Sequence, residues 1–274
     1  MYDYLIVGAG LYGAVFARQA ADAGKKVLVV DKRDHIAGNV YTEKIEGINV
    51  HRYGAHIFHT NNKRVWEYLN RFTEFNRFTN SPVANYNGEL YSLPFNMYTF
   101  NKMWGVVTPD EARKMIEKQK QAAGISKPHN LEEQAISLVG TDIYEKLIKG
   151  YTMKQWGQKP EEISEEVTGR VPVLISRDNG YFTDRYQGVP KQGFHRMFRN
   201  LLDHPNITIV LDTDAKEILK FQEDEILLHG EPFQGEVIYT GAVDELFDCC
   251  DGRLPYRSLD FAFEHYDRDS YQGR

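Results

Sequence analysis

The chain opens with short apolar runs separated by one glycine-rich turn. The run Asp3–Val7 is almost wholly apolar, which is typical of a strand buried on both faces of a parallel sheet. Helical periodicity follows over Ala14–Ala23 and stops at Gly24, and a second buried strand is predicted over Lys26–Asp31. A strand, a glycine turn, a helix and a strand within about thirty residues predict a βαβ unit.

Between Val83 and Leu93 the pattern changes to that of an antiparallel hairpin. The pair Asn87-Gly88 sits at its centre, and this pair favours a type I′ turn because both central residues need a positive φ. The hairpin predicts a small antiparallel sheet beside the parallel core.

The middle of the chain reads as mostly helical. Thr108 and Glu111 form a capping box around Pro109, and this helix is predicted to run to Gly124. Further helices are expected to start at Asn130, to run from Thr141 to Gly150, and to span Gly193–Asp203, before strands at Ile207–Leu211, Glu225–Leu228 and Val237–Tyr239. The order indicates an α/β core with a helical insertion.

Composition narrows the function classes. The 274 residues are 42% hydrophobic and 26% charged with a net charge of −6, which fits a globular protein and argues against a nucleic-acid binder. The sequence shows no bilayer-length apolar run and no secretory pattern. Its two cysteines, Cys249 and Cys250, are adjacent and cannot staple distant segments. We therefore expect a cytoplasmic protein without membrane association.

The turn after the first strand carries the pattern Gly8-x-Gly10-x-x-Gly13. In a dinucleotide-binding turn the first glycine permits the tight turn, the second lets the backbone approach a pyrophosphate, and the third lets helix and strand pack closely. Asp31 ends the second strand, where a carboxylate accepts hydrogen bonds from a ribose. The alternative, a glycine-rich turn without a ligand, is much less favoured in this context.

Three later clusters have both a functional and a structural interpretation. The stretch Lys32–Asn39 suits a second crossing past a long cofactor, or a basic surface loop. His56 and His59 within Tyr53–Thr60 are too few for a metal site and fit contacts near a flavin or a place in the core. The aromatic residues of Gly150–Gly157 offer faces to a nucleobase, although on pattern alone aromatic core residues are favoured.

Taken in order, these motifs resemble those of the bacterial UDP-galactopyranose mutases. The resemblance covers essentially the whole chain, and the stretches that carry it most specifically are Tyr53–Thr60 (YGAHIFHT), Gly150–Thr152 (GYT) and Lys154–Gly157 (KQWG). It implies an α/β fold with a Rossmann-like FAD-binding domain of the glutathione-reductase type, a helical insertion domain and an antiparallel sheet.

The resemblance also implies a reaction. Members of the family interconvert UDP-galactopyranose and UDP-galactofuranose with reduced FAD, through a covalent adduct between flavin N5 and the sugar. The cofactor as nucleophile fits the absence of hydrolase motifs from the sequence. It further implies NAD(P)H or another reductant for the flavin, a homodimer, and a role in cell-wall polysaccharide synthesis.

Site residues follow by matching positions with the family. The FAD contacts would be Gly8, Gly10, Gly13, Asp31, Gly38 and Asn39, with His56 and His59 beside the flavin ring. The UDP-sugar contacts would be Asn80, Tyr151, Thr152, Trp156, Arg170, Tyr181 and Arg257. Catalytic roles would belong to His59 and to Arg170, the arginine of the family's mobile loop, which neutralises the diphosphate.

The implied domains are residues 1–80 with 204–274 for FAD, 81–100 for the hairpin, 101–163 for substrate, and 164–203 for the mobile loop, strands and a helix. Family members extend beyond the position of Arg274, so we expect this chain to be a fragment or a shortened member, with its own activity an open question. Two other functions stay open: an FAD-dependent oxidase or dehydrogenase of the amine-oxidase kind, and a catalytically incomplete nucleotide-binding fragment.

Overall fold

A computed structural model describes residues 1–168, 173–222, 225–256 and 258–271. Its strands, in chain order, are β1 (Tyr4–Val7), β2 (Val27–Val30), β3 (Thr42–Ile45), β4 (Ile48–His51), β5 (Phe58–Thr60), β6 (Val83–Tyr86), β7 (Glu89–Ser92), β8 (Tyr186–Gly188), β9 (Ile207–Val210), β10 (Leu219–Phe221), β11 (Ile226–Leu228), β12 (Glu231–Pro232) and β13 (Glu236–Tyr239).

The α-helices are α1 (Leu11–Asp22), α2 (Lys63–Leu69), α3 (Met97–Trp104), α4 (Pro109–Ala123), α5 (Leu131–Val139), α6 (Thr141–Ile143), α7 (Gly150–Trp156), α8 (Gly193–Leu202), α9 (Ala215–Ile218) and α10 (Val243–Leu246). A π-helical turn, Tyr144–Lys149, joins α6 to α7, and short 3-10 turns occupy Gly38–Val40, Pro160–Glu162 and Glu165–Thr168. The chain divides into two compact units, residues 1–77 with 188–274 and residues 78–187, which we call unit 1 and unit 2.

Unit 1 is built on a parallel four-stranded sheet in the order β13-β1-β2-β9. Its central strands are apolar throughout, so both faces must be covered. On one face the small residues of α1, Ala14 and Ala17, pack into the same buried cluster as Phe198 and Leu201 of α8. On the other face Leu5 clusters with residues of α9 and of the antiparallel sheet β10-β11-β12. The predicted α/β class with a Rossmann-like unit is confirmed.

Unit 2 combines the hairpin β6–β7 with the helices α3 to α7. Asn87 and Gly88 both have positive φ, 52° and 88°, so the predicted turn forms as expected. The capping box of Thr108 and Glu111 starts α4 at Pro109, also as predicted. The largest buried cluster of this unit brings together α3, α4, α5 and α6 around Phe95 and Phe100.

One helix boundary predicted from the sequence is wrong. We expected the helix that starts at Thr141 to end at Gly150, but Gly150 keeps helical angles (φ −63°, ψ −40°) and the helical path continues to Trp156. The end comes at Gly157, which adopts the left-handed conformation that closes a helix. A glycine inside a helix costs about 1 kcal/mol, which the packing of its neighbours can offset.

Candidate functional site

The carboxyl ends of the parallel strands of unit 1 surround a cavity of about 610 Å³. Its lining includes Gly8 after β1, Asp31 after β2 and Thr240 after β13. In open parallel sheets, ligands bind at the carboxyl ends of the strands, at the point where the strand order turns back. Here β1 has β2 on one side and β13 on the other, so the cavity lies at such a point.

The three glycines of the first turn have three separate reasons to be glycine. Gly8 has a φ of +110°, and an added Cβ would lie 2.1 Å from Oγ1 of Thr240. An added Cβ on Gly13 would lie 2.0 Å from the carbonyl oxygen of Gly8. Gly10 differs: its nearest neighbour would be Cα of Gly38, at 4.0 Å. Protein packing therefore does not require glycine at position 10, whereas a pyrophosphate at the cavity wall would.

Asp31 ties this glycine turn to the end of β2. The backbone N–H of Ala9 donates to its Oδ2 at 2.8 Å, and the backbone N–H of Arg33 donates to its Oδ1 at 2.9 Å. The side chain is buried and lines the cavity. Each carboxylate oxygen can accept a second hydrogen bond, so Asp31 can serve the turn and a ribose hydroxyl together.

Behind the second crossing of the chain lies a compact aromatic and basic cluster. The Arg33 guanidinium stands 4.6 Å from the ring centroid of Tyr53 and donates to Oδ1 of Asn39 at 2.9 Å. Its Nη1 is buried without a hydrogen-bond partner in the protein. His35 is buried, bonded to the Tyr53 hydroxyl at 2.8 Å and stacked on Tyr41. Arg33 thus belongs to the cavity lining, while its Nη1 lies buried behind that wall.

The cavity brings together five of the predicted cofactor residues, namely Gly8, Gly10, Asp31, Gly38 and Asn39, while Gly13 packs beneath them. His56 and His59 are absent from its lining. His56 bonds through Nδ1 to the carbonyl of Gly54 at 2.9 Å, and its backbone N–H donates to Nδ1 of His51. Burial and the neighbouring His56 lower the pKa of His51.

The predicted substrate residues that the structure describes all lie in unit 2. The N–H of Tyr181 donates to the carbonyl of Asn80 at 2.8 Å. Burial raises the pKa of the Tyr181 phenol, and the nearby Tyr151 raises it further. Thr152 is buried, whereas Tyr151 is 66% exposed and free to present its ring to a ligand. Arg170 and Arg257 lie outside the described residues.

Sequence reasoning missed the residues that close the cavity on the side of β13. Oγ1 of Thr240 donates to the carbonyl of Val7 at 2.7 Å and thereby faces Gly8. Lys216 and Glu245 also line this side. Their only signal in the sequence was their place directly after predicted strands or in short loops.

Within the described ranges, no group of three or more His, Cys, Asp and Glu side chains is placed to hold a metal ion. Over the same residues, no helix combines the length and the apolar character needed to cross a bilayer.

Comparison with known proteins shows the family of this chain. A family model described as UDP-galactopyranose mutase matches residues 146–274, and one described as an NAD(P)-binding Rossmann-like domain matches residues 6–72. A probable UDP-galactopyranose mutase of Klebsiella pneumoniae is 42% identical over 99% of this chain and 68% of its own length. The chain belongs to the UDP-galactopyranose mutase family.

Other relatives of this mutase-family chain agree with that assignment. A dTDP-fucopyranose mutase of Escherichia coli is 41% identical over 100% of the chain and 72% of its own length. The UDP-galactopyranose mutase of Mycoplasma genitalium is 33% identical over 99% of the chain and 68% of its own length. Proteins with these names are isomerases, and the family together with the Rossmann-like unit implies a flavin cofactor.

A crystal structure of reduced UDP-galactopyranose mutase superposes with a TM-score of 0.64 over 90% of this chain, at 17% identity. The chain spans 57% of the length of that structure. A putative protoporphyrinogen oxidase from Exiguobacterium shares the fold with a TM-score of 0.58 at 14% identity. These two likenesses support the fold.

Proposed function

We propose that this chain carries the FAD-binding and nucleotide-recognising parts of a flavin-dependent mutase that interconverts the pyranose and furanose forms of a nucleotide-linked sugar. The observation that carries the proposal is the identity of 41–42% over nearly the whole chain to proteins named as such mutases. The cavity of unit 1 supports it independently, because the open space at Gly10 and the buried Asp31 suit a dinucleotide.

The residues present fit an FAD in this cavity. The N-terminus of α1 follows Gly10 directly, so its unpaired N–H groups would face the diphosphate. Asp31 would accept a hydrogen bond from a ribose hydroxyl, and Arg33 in the cavity lining would add positive charge near the diphosphate. When bound and reduced, the flavin would supply at N5 the nucleophile that holds the sugar while its ring opens and closes.

The chain's own residues would then bind and orient the nucleotide sugar. The contacts to the nucleotide sugar in this unit would come from Asn80, Tyr151, Thr152, Trp156 and Tyr181. Arg170 and Arg257 would neutralise the diphosphate, since a guanidinium pairs with phosphate oxygens through two parallel hydrogen bonds. His59 beside the flavin ring, NAD(P)H as the reductant and a homodimer remain predictions of the sequence.

UDP-galactose is the first substrate to test, because the family description and two of the named relatives specify it. The E. coli relative favours a second candidate, a dTDP-linked fucose, at nearly the same identity. The two substrates differ in the base and in the sugar, while the diphosphate and the ring chemistry are shared.

The test is an anaerobic incubation of the flavin-loaded chain, reduced with dithionite, with UDP-galactose or dTDP-fucose in separate reactions. Chromatography should show a furanose product with no stoichiometric loss of reductant. An oxidase would instead consume oxygen or another acceptor in proportion to product. A chain that takes up reduced FAD but neither binds nor converts either nucleotide sugar would overturn the proposal.

A further inference from the structure

Asn96 lies at the centre of a buried polar network in unit 2. Its side chain is fully buried, and every polar atom of it is used. Oδ1 accepts from the backbone N–H of Tyr98 at 3.0 Å and from that of Thr99 at 3.3 Å, which caps the N-terminus of α3. This half of the side chain has an ordinary structural role.

The amide nitrogen of Asn96 faces away from the helix that it caps. Nδ2 donates to the backbone carbonyl of Asp178 and to Oδ1 of Asn179, each at 2.8 Å. Ser92 stands 3.3 Å from the same nitrogen and donates its own hydroxyl proton to Asn179 at 2.9 Å. A single side chain therefore joins the start of α3 to a segment some eighty positions later in the chain.

The segment that Asn96 holds leads directly to Tyr181. Beyond Asn179, the N–H of Gly180 donates to Oδ1 of Asp178 at 2.8 Å, and the N–H of Tyr181 donates to the carbonyl of Asn80 at 2.8 Å. At the other end, the carbonyl of Ser176 accepts from the N–H of Met97. The stretch 176–181 is irregular, and these bonds, with the contact of the Tyr181 ring on Phe182, help to fix where the Tyr181 side chain lies.

From this geometry we infer that Asn96 is a positioning residue for nucleotide-sugar binding, through its hold on residues 176–181 and thus on Tyr181. The inference rests on the proposed function, in which Tyr181 and Tyr151 contact the UDP part. Asn96 itself is fully buried and would act through Tyr181 rather than by touching the nucleotide sugar. Its capping oxygen stabilises α3, and its amide donors set the place of the tyrosine.

The two roles can be separated by substitution. Asn96→Ser keeps an oxygen that caps a helix and removes the amide donors without adding charge. Asn96→Asp keeps the shape and the cap and replaces the donors with an acceptor that repels Asp178 O and Asn179 Oδ1. The matched control is Asn130→Ser, because Asn130 caps α5 through the N–H of Glu133 and its amide makes no comparable clamp within the described part of the chain.

The first measurement is hydrogen exchange of the Gly180 and Tyr181 amides in the full chain without ligand. In Asn96→Ser we expect these amides to exchange at least about tenfold faster while those of α3 and α5 keep their protection, since the substitution removes the bonds from the Asn96 amide to Asp178 and Asn179. The Asn130→Ser chain should match the wild type at Gly180 and Tyr181. Unchanged exchange in Asn96→Ser would overturn the inference.

The second measurement is the Kd for UDP from quenching of intrinsic fluorescence. We expect it to rise roughly tenfold in Asn96→Ser and more in Asn96→Asp, with little change in Asn130→Ser. Faster exchange with an unchanged Kd would leave Asn96 as a structural residue only and defeat the inference. A wild-type chain that binds neither UDP nor dTDP would defeat the proposed function, whereas a nucleotide Kd that Asn96→Ser leaves unchanged would defeat the positioning role alone.

Discussion

The backbones of Gly10 and Gly38 lie against each other at the wall of the nucleotide cavity: a Cβ added to Gly38 would stand 3.0 Å from Cα of Gly10. The two glycines come from different crossings of the chain, one from the first turn and one from the 3-10 turn Gly38–Val40. Their contact brings both backbones to the place where we expect the diphosphate of FAD.

Gly10→Ala should separate cofactor binding from folding. Gly10 has an ordinary φ of −73°, and an added Cβ meets nothing closer than 4.0 Å, so the free energy of unfolding should change by less than about 1 kcal/mol. A methyl group at the diphosphate should weaken FAD binding by about 3 kcal/mol, or roughly 100-fold. Flavin fluorescence titration and urea unfolding measure the two effects. Gly13→Ala is the contrast, because its 2.0 Å clash with the Gly8 carbonyl should impair folding itself.

Asp31→Asn should weaken both the turn and the cofactor site. The carboxylate of Asp31 accepts from the N–H groups of Ala9 and Arg33 on two separate oxygens. The amide that replaces it has only one oxygen, so one of these hydrogen bonds is lost. We expect a loss of about 1–3 kcal/mol in the free energy of unfolding and a clear drop in FAD affinity. Asp3→Asn is the control: its carboxylate accepts from the Lys26 N–H at the opposite end of the strands, and FAD affinity should be unchanged. Equal effects of the two substitutions on FAD binding would contradict a ribose contact at Asp31.

Tyr151→Ala should reduce nucleotide affinity with little loss of stability. Tyr151 is 66% exposed, so its truncation removes little buried apolar surface and opens no internal cavity. The loss of an aromatic face from the UDP site should raise the Kd for UDP roughly tenfold, as measured by calorimetry. Met153→Ala, in the same helix and 43% exposed, should leave that Kd within about twofold. Similar effects of the two changes would argue against Tyr151 as a contact.

His195 should make unit 1 sensitive to acid. Burial, then the nearby Arg199 and His35, lower its pKa from the usual 6.5, and its Nδ1 is buried without a partner. Because the unfolded chain binds this proton more readily, its contribution to stability is fully present above pH 6.5 and is lost as the pH falls through the folded-state pKa. Urea unfolding between pH 5 and pH 7.5, about the range in which histidine titrates, should therefore show a free energy of unfolding that rises with pH.

The histidine test needs a variant that cannot titrate. In His195→Phe the slope of unfolding free energy against pH should flatten over that range, whatever the effect on absolute stability. His129→Gln, a change at an exposed position in unit 2, should keep the wild-type slope. An identical slope in the wild type and in His195→Phe would assign the acid sensitivity to other groups.

Much of the fold was predictable because its signals are local. A few neighbouring residues are enough to predict the capping box at Thr108, the Asn87-Gly88 turn and the apolar strands before Gly8 and Asp31. The wrong boundary at Gly150 shows the limit of such signals. Whether a glycine ends a helix or lies inside it depends on packing by residues that a local pattern does not include.

Local patterns were enough to predict the βαβ unit, the hairpin, the helical insertion and the identity of the glycine turn, since each depends on neighbours along the chain. Two contacts arise only in the folded chain: Thr240, 233 positions after Val7, closes the cavity, and Asn96 holds Asp178 and Asn179. These contacts join segments that are far apart in the sequence, and no hydrophobic or polar pattern along the chain indicates that they pair. Hydrogen bonds between such segments form only when the cores have packed, so their partners are chosen by the fold as a whole.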